Sequence, residues 1–211
     1  SPNPRDDEIM AGCETYRSGK HDSIIAIGGG SAMDGAKAIG MTVNSGANLW
    51  DFEYRKPSPK IGSKNCFPTF ITVPTTAGTG AETESTAMIT DTKQGMKFCL
   101  AHLRMRPALA ILDPELTIDL PTNLTAWTGV DALTHALEAY IVPSLNPLCD
   151  GAALEALKLI SNWLEIAFDD PKNVHARGGM LIGSCFAGVA FRGLRVGDYT
   201  PCRLPRVNRV G

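Results

Sequence analysis

The chain has 211 residues, of which 44% are hydrophobic, enough for one α/β domain or two small ones with a buried core. A net charge of −2, no apolar run near the ~20 residues of a membrane span and no signal-peptide pattern argue against nucleic acid or a membrane as partner. Six cysteines without a CxxC motif favour reduced thiols in a cytoplasmic protein over a disulfide framework.

The first half of the chain alternates strands and helices. The apolar run 23–27 is typical of a strand buried on both faces of a parallel sheet, and it ends in three glycines. Ser31 and Asp34 resemble a capping box that opens a helix, which Asn44-Ser45-Gly46 ends. This alternation predicts a largely parallel sheet. The predicted strands are residues 23–27, 70–73, 85–90, 96–101 and 108–112, the third and fourth forming a hairpin.

The composition changes after Pro121. Segments 122–141, 147–168 and 172–191 are apolar at helical spacing and are separated by proline-containing breaks. The fold class is therefore predicted to be α/β, with an α/β domain over residues 1–118 and an all-helical domain over residues 119–191. Residues 192–211 hold five arginines, two prolines and no helical period. They are predicted to form a poorly ordered, atypical tail rather than a basic interaction arm.

A strand–GGGS–helix turn is the first candidate binding site. Gly28, Gly29 and Gly30 let the backbone approach a diphosphate closely, and the N–H groups at the helix start, from Ser31 on, face the anion. Such a turn also occurs for purely structural reasons. It departs from the GxGxxG fingerprint, because only Gly28 and Gly30 match the first two positions. Asp34 either belongs to this site or caps its helix.

The loop PTTAGTG follows a second strand in the same way. Its hydroxyls at Thr75, Thr76 and Thr79 can donate to phosphate or ribose, while its glycines keep the backbone exposed. Two such loops after two strands of one sheet open toward the same edge, which favours a nucleotide site over two structural turns. Lys97, on the predicted hairpin, could reach a bound cofactor or be a solvated strand lysine, and Lys37 could lie at the surface.

Asp131 and His135 are the candidate metal ligands. They lie four residues apart in a predicted helix, so the carboxylate and the imidazole can converge on one ion. A mixed oxygen and nitrogen pair suits Fe(II) or Zn(II). The alternatives are a pair on the helix surface or a satisfied core histidine. His21, His102 and His175 have no partner at ligand spacing, so the ligand set is incomplete.

The motifs GGGSAMDGAKAI, VPTTAGTGAE, AILDPELT and TGVDALTHALEAY, in this order, resemble those of the iron-dependent (group III) alcohol dehydrogenase family. Its superfamily includes dehydroquinate synthase and glycerol dehydrogenase. The resemblance spans residues 2–191 and implies a partial dinucleotide-binding domain over 1–118 and a partial helical metal-binding domain over 119–191. It also implies a chain truncated at both ends that lacks the third and fourth metal ligands, so that its activity is impaired.

The resemblance further implies hydride transfer between an alcohol and the nicotinamide of NAD or NADP. A bound Fe(II) or Zn(II) would polarise the substrate oxygen. No catalytic residue is expected beyond the metal site. The implied cofactor-binding residues are Gly28, Gly29, Gly30, Ser31, Asp34, Thr75, Thr76, Thr79 and Lys97, and the implied metal ligands are Asp131 and His135.

The expected partner is a small alcohol, aldehyde or ketone; nucleic acid and membranes are not expected, and a homodimer is allowed. Two other functions stay open. The missing ligands favour a non-catalytic nucleotide-binding fragment. The same scaffold could also carry out polyol dehydrogenation or the lyase chemistry of the dehydroquinate synthase branch, although the unbroken TGVDALTHALEAY favours the alcohol branch.

Overall fold

The computed structural model describes residues 3–62, 67–142 and 146–196. The chain divides into two compact units. The first contains the residues up to Pro74 together with Glu84–Ile111, and the second contains Thr75–Thr83 and the chain from Leu112 onward. The short segment Thr75–Thr83 therefore separates from the strand that precedes it and packs with the long helices, the first of which begins at Thr122.

The first unit is an α/β structure around a parallel sheet, as predicted. The sheet has three strands in the order β1–β2–β5, and β3 and β4 form a separate antiparallel hairpin. β5 is shorter than predicted, because only Leu109 and Ala110 pair with β2. The elements are α1 (Asp6–Ser18), β1 (Ser23–Gly28), α2 (Gly30–Val43), β2 (Thr69–Pro74), β3 (Thr86–Asp91), β4 (Met96–Ala101) and β5 (Leu109–Ala110).

The helix α1 was not predicted from the sequence. Three acidic residues, Asp6 to Glu8, occupy its first turn, where their negative charges interact favourably with the positive end of the helix dipole. Its buried stripe is Ile9, Cys13 and Tyr16, at the i, i+4, i+7 spacing of one helical face. This stripe packs with side chains of α2 and the hairpin to form the core of the first unit. The helical pattern was easy to miss because only three of the thirteen residues are core positions.

The strand β1 is buried on one face only, so the prediction of burial on both faces is wrong. Ala26 is buried, and Ile24 lies near Gly40 of α2. Ile25 and Ile27 are 61% and 63% exposed. Alternate side chains of a strand point to opposite faces, and α2 covers only the face that carries Ile24 and Ala26.

The second unit is built on three long helices, in agreement with the predicted helical segments: α3 (Thr122–Ile141), α4 (Pro147–Asp169) and α5 (Val174–Val196). Small residues dominate its core, which lets the helices approach closely; they are Ala132, Ala136, Ala156, Ala167, Ala176 and Ala187, with Ile160, Met180 and Leu181. The buried Arg177 ties α5 to α3 by donating from Nη1 to the Thr125 hydroxyl at 2.7 Å.

The last helix differs from the sequence prediction in two ways. It continues to Val196, five residues into the segment predicted to be a poorly ordered tail, and residues 197–211 lie outside the described part of the chain. Its stretch Val174–Phe191 is long and apolar enough to cross a membrane by length and composition. Half of that stretch is buried, as expected of a helix in the core of a bundle.

Candidate functional site

The glycine turn lies in the first unit, between β1 and α2. Gly28 has φ +146°, and a Cβ at this position would lie 2.8 Å from the Cβ of Ala32, so the turn requires glycine. Gly29 is the N-cap of α2, and its carbonyl accepts from the N–H groups of Ala32 and Met33 at 3.1 and 3.2 Å. The first turn of α2, which includes Ser31, carries no acidic residue. An anion would therefore meet a helix N-terminus whose charge no carboxylate offsets.

The capping-box interpretation of Ser31 and Asp34 is wrong, because the N-cap of α2 is Gly29 and Ser31 already lies inside the helix. The Asp34 carboxylate instead accepts from the Met88 N–H at 2.9 Å and lies 3.4 Å from the Lys37 ammonium. Burial raises the pKa of Asp34 above its usual range, although the positive charge of Lys37 and the Met88 bond oppose this rise. Asp34 thereby ties the strand β3 to α2.

Lys37 is buried, so the suggestion from the sequence that it could lie at the surface is wrong. It is 2% exposed, and its ammonium donates to the Thr86 carbonyl at 2.9 Å in addition to facing Asp34. Lys97 is exposed on β4 opposite Thr90, and its positive charge is among those that oppose the rise in the pKa of Asp34. The hairpin and the glycine-turn helix are thus linked through charged groups inside the first unit.

The threonine loop 75–83 belongs to the second unit. Thr75, Thr76 and Thr79 are half-buried. Among the described residues, the hydroxyls of Thr75 and Thr76 make no hydrogen bond, while that of Thr79 accepts from the Ala81 N–H at 3.3 Å. The expectation that glycines keep this backbone exposed is wrong, because Gly78 and Gly80 are both buried and pack against helices of the second unit.

Asp131 and His135 lie on α3 with their side chains on one face, as the spacing predicts. The Asp131 Oδ1 and His135 Nε2 atoms are 3.9 Å apart, too far for a hydrogen bond. That separation is shorter than two bonds of ~2.1 Å, the usual length from Zn²⁺ to His nitrogen or carboxylate oxygen. His135 Nδ1 is buried without a hydrogen-bond partner among the described residues, and the ring lies 4.9 Å from that of Phe191. Nε2 is therefore the nitrogen that faces the carboxylate.

The described part of the chain brings no third ligand to this pair, since it holds no group of three or more His, Cys, Asp or Glu side chains suited to one metal ion. The other histidines contact aromatic rings. His21 lies near Tyr16, His102 meets Phe52 edge-on, and the exposed His175 meets Trp163 edge-on.

The predicted site residues fall into two sets. Gly28 to Ser31, Asp34 and Lys97 belong to the first unit, while Thr75, Thr76, Thr79, Asp131 and His135 belong to the second. Two residues with close contacts to the threonine loop were missed. Gly188 of α5 and Thr128 of α3 lie against Gly80 and Gly78, respectively. The available signal for Gly188 was a glycine inside a strongly helical pattern, which often marks a close packing contact.

Two family models match the sequence. The model described as iron-containing alcohol dehydrogenase matches residues 1–114, and the C-terminal model of the Fe-containing alcohol dehydrogenase family matches residues 125–199. The second match reaches into the segment that was set apart as an atypical tail.

Relatives of known name and structure cover nearly all of this chain. NAD-dependent methanol dehydrogenase of Bacillus methanolicus is 37% identical over 90% of the chain, and 1,3-propanediol dehydrogenase of Citrobacter freundii is 38% identical over 93%. The crystal structure of sulfoacetaldehyde reductase from Bifidobacterium kashiwanohense in complex with NAD+ superposes with a TM-score of 0.82 at 36% identity over 90% of the chain. This chain covers 49%, 49% and 50% of these proteins, and thus spans about half the length of the relatives it matches.

Proposed function

Because the chain belongs to the iron-containing alcohol dehydrogenase family, we propose that it is a metal-dependent, NAD-linked oxidoreductase that interconverts a small alcohol and its aldehyde or ketone. One observation carries the proposal. The Asp131 carboxylate and the His135 imidazole nitrogen converge to 3.9 Å on one face of α3.

The cofactor proposal follows from the glycine turn. The first turn of α2 has no acidic side chain, and Gly28 before it lets a ligand approach the backbone closely. Both features suit the pyrophosphate of a dinucleotide. We assign pyrophosphate contacts to the turn Gly28–Ser31 and further hydroxyl contacts to Thr75, Thr76 and Thr79. We also assign Lys97 of β4 a cofactor contact. Asp34 holds β3, the strand that pairs with β4. NAD rather than NADP is supported by the names of two relatives.

The metal proposal rests on the donor set. A carboxylate and a neutral imidazole suit Fe(II) and equally Zn(II), and the family name favours iron. The two donors present fit two positions of such a site, and the described residues supply no third. We therefore propose that the chain binds metal weakly and oxidises alcohols slowly or not at all.

The chemistry of the chain's own residues is binding and orientation. Asp131 supplies negative charge, and His135 presents Nε2 toward it. A divalent ion at this pair would supply Lewis acidity toward the substrate oxygen. The glycine turn would bind the pyrophosphate of the cofactor, and the threonine hydroxyls would add polar contacts; a bound nicotinamide would supply the hydride acceptor or donor.

Since the described residues supply only two ligands, a second candidate is also favoured, namely a nucleotide-binding protein without catalysis. The two candidates differ in their response to metal. An NAD-binding protein without catalysis binds NADH but binds Fe(II) no more tightly than its Asp131→Asn and His135→Ala variants do, and it shows no alcohol oxidation with added Fe(II).

The test uses the full chain, anaerobic titration with Fe(II) and, separately, Zn(II), and NADH binding followed by fluorescence. Asp131→Asn and His135→Ala are each expected to weaken metal binding by about tenfold or more, since even outer partners of metal ligands contribute that much. NADH affinity is expected to stay within about twofold.

His175→Ala is the matched control, because this exposed histidine lies against the ring of Trp163 and is expected to leave metal binding unchanged. Equal metal affinity of the wild type and His135→Ala would refute the metal site. Failure of the wild type to bind NADH would refute the cofactor assignment.

We further propose a cytoplasmic location without a nucleic-acid or membrane partner, and a homodimer as the assembly to test by light scattering. Cys13, Cys99, Cys149 and Cys185 are free thiols in the described part of the chain, which supports a reducing compartment.

A further inference from the structure

The threonine loop meets α5 through two glycines that face each other without a side chain between them. Gly80 has φ +64°, and a Cβ placed there would lie 2.6 Å from the Gly188 Cα and 3.1 Å from the Ser184 carbonyl oxygen. A Cβ at Gly188 would in turn lie 2.7 Å from the Gly80 carbonyl oxygen. Both contacts involve backbone atoms, which cannot swing aside as the tip of a side chain can.

A second contact joins the same loop to α3. A Cβ at Gly78 would lie 2.6 Å from the Thr128 Cβ and 2.9 Å from the Thr128 carbonyl oxygen. Thr128 lies three residues before Asp131, so the two positions are one helical turn apart. The loop is therefore packed on the helix that carries the candidate metal ligands.

Hydrogen bonds within the loop converge on the same point. The Gly80 carbonyl accepts from the Thr83 N–H at 3.0 Å and from the Thr83 hydroxyl at 2.9 Å. It is also the atom that a side chain at position 188 would strike. Displacing this carbonyl would disturb the bonds that shape the loop as well as its contact with α5.

We propose that Gly188, Gly80 and Thr128 are positioning residues that lock the loop 75–83 onto α5 and α3. The loop hydroxyls and the pair Asp131 and His135 then form one rigid body, whose internal distances are set by these backbone contacts. The inference rests on the proposed cofactor role of the threonine loop. Its importance follows from hydride transfer, in which a misplacement of about 1 Å can cost about 100-fold in rate.

The test compares three glycine-to-alanine variants in the full chain. Gly188→Ala places a methyl group against the backbone of the loop. Gly183→Ala lies on the same helix, but its Cβ would meet Ile160 and Leu159 at 2.9 and 3.3 Å instead of the loop. Gly151→Ala on α4 points into open space. Helix propensity favours alanine at all three positions, so any loss reflects contacts.

We expect Gly188→Ala to speed amide hydrogen exchange in residues 75–83 and to weaken NADH binding about tenfold, the scale of ~1.4 kcal/mol lost on binding. Gly183→Ala is expected to lower the melting temperature while leaving loop exchange and NADH affinity unchanged, and Gly151→Ala to change neither. A merely structural role for Gly188 predicts equal NADH affinity in Gly188→Ala and Gly183→Ala, and that result would overturn the inference.

Thr83→Val keeps the side-chain size and removes only the hydroxyl bond to Gly80, so it serves if Gly188→Ala does not fold. Faster exchange in residues 75–83 of this variant supports the inference, and unchanged exchange overturns it. Hydrogen exchange needs no cofactor. A wild type that fails to bind NADH therefore refutes the proposed function while the exchange measurement still decides the rigidity of the loop.

Discussion

The buried ammonium of Lys37 gives the sharpest prediction for the first unit. Its side chain has no exposed surface; it donates to the Thr86 carbonyl at 2.9 Å and faces the Asp34 carboxylate at 3.4 Å. Asp34 also accepts from the Met88 N–H. Removing the negative charge of Asp34 would leave Lys37 as a buried cation without a counter-ion, which is a large cost in a protein interior.

Asp34→Asn is expected to lower the free energy of unfolding by about 3–5 kcal/mol, the range for breaking a buried ion pair. Two unit charges 3.4 Å apart attract by about 5 kcal/mol at an effective dielectric constant of about 20. This attraction opposes the desolvation of Asp34 that raises its pKa. The asparagine oxygen can still accept from Met88, so the variant isolates the charge.

Lys37→Met is expected to cost less, about 1–3 kcal/mol at neutral pH, because methionine fills a similar volume and the chief loss is the bond to Thr86. Burial already raises the pKa of Asp34, and the largest opposing charge is Lys37. Without Lys37 the pKa of Asp34 rises further. A carboxyl group whose pKa is raised on folding stabilises the folded state at pH values below its unfolded pKa, and this contribution is lost as the pH rises through its folded pKa. The destabilisation caused by Lys37→Met should therefore be smallest at acidic pH.

The assay is urea unfolding followed by circular dichroism, with the variants compared with wild type at pH ~5 and pH ~7.5. Glu155→Gln is the control, because its pair with Lys158 at 3.5 Å is exposed and is expected to contribute less than about 1 kcal/mol. A cost below about 1 kcal/mol for Asp34→Asn, or a cost for Lys37→Met that does not change with pH, would refute the buried-pair argument.

Two further predictions concern titratable groups. Burial, and secondarily the charge of Glu82, raises the pKa of Cys185 to about 11, so Cys185 at pH 8 should be alkylated far more slowly in the native protein than in the urea-unfolded protein. Equal rates by mass spectrometry would contradict this. Burial, and secondarily Arg104, lowers the pKa of His102, whose Nδ1 accepts from the Arg104 N–H. Neutral His102 therefore contributes its full stabilisation above the unfolded pKa, and this contribution is lost as the pH falls through the folded pKa. His102→Asn keeps a hydrogen-bond acceptor but does not titrate, so the urea midpoint should fall less steeply below pH ~6.5 than in the wild type. An equally steep fall in both proteins would contradict the reasoning.

Local patterns predicted much of the secondary structure. The helices α3, α4 and α5 were predicted because apolar residues recur at helical spacing over many turns, and their starts and ends carry proline or asparagine. The hairpin was predicted because a glycine-containing turn separates two short β-type segments. The helix α1 was missed because its three core residues are diluted by polar neighbours, and the exposure of Ile25 and Ile27 was missed because apolar residues do not reveal which face is covered.

The sequence by itself determined the features that depend on near neighbours along the chain: the glycine turn after β1, and the convergence of Asp131 and His135, which one helical turn brings together. Tertiary structure alone decided the burial of Lys37 against Thr86, the assignment of residues 75–83 to the helical unit, and the contact of Gly80 with Gly188. These join residues 49 to 108 positions apart, and helix or strand periodicity carries no information about which distant surfaces meet. Close packing decides that, because only certain pairs of surfaces fit together without voids or overlaps.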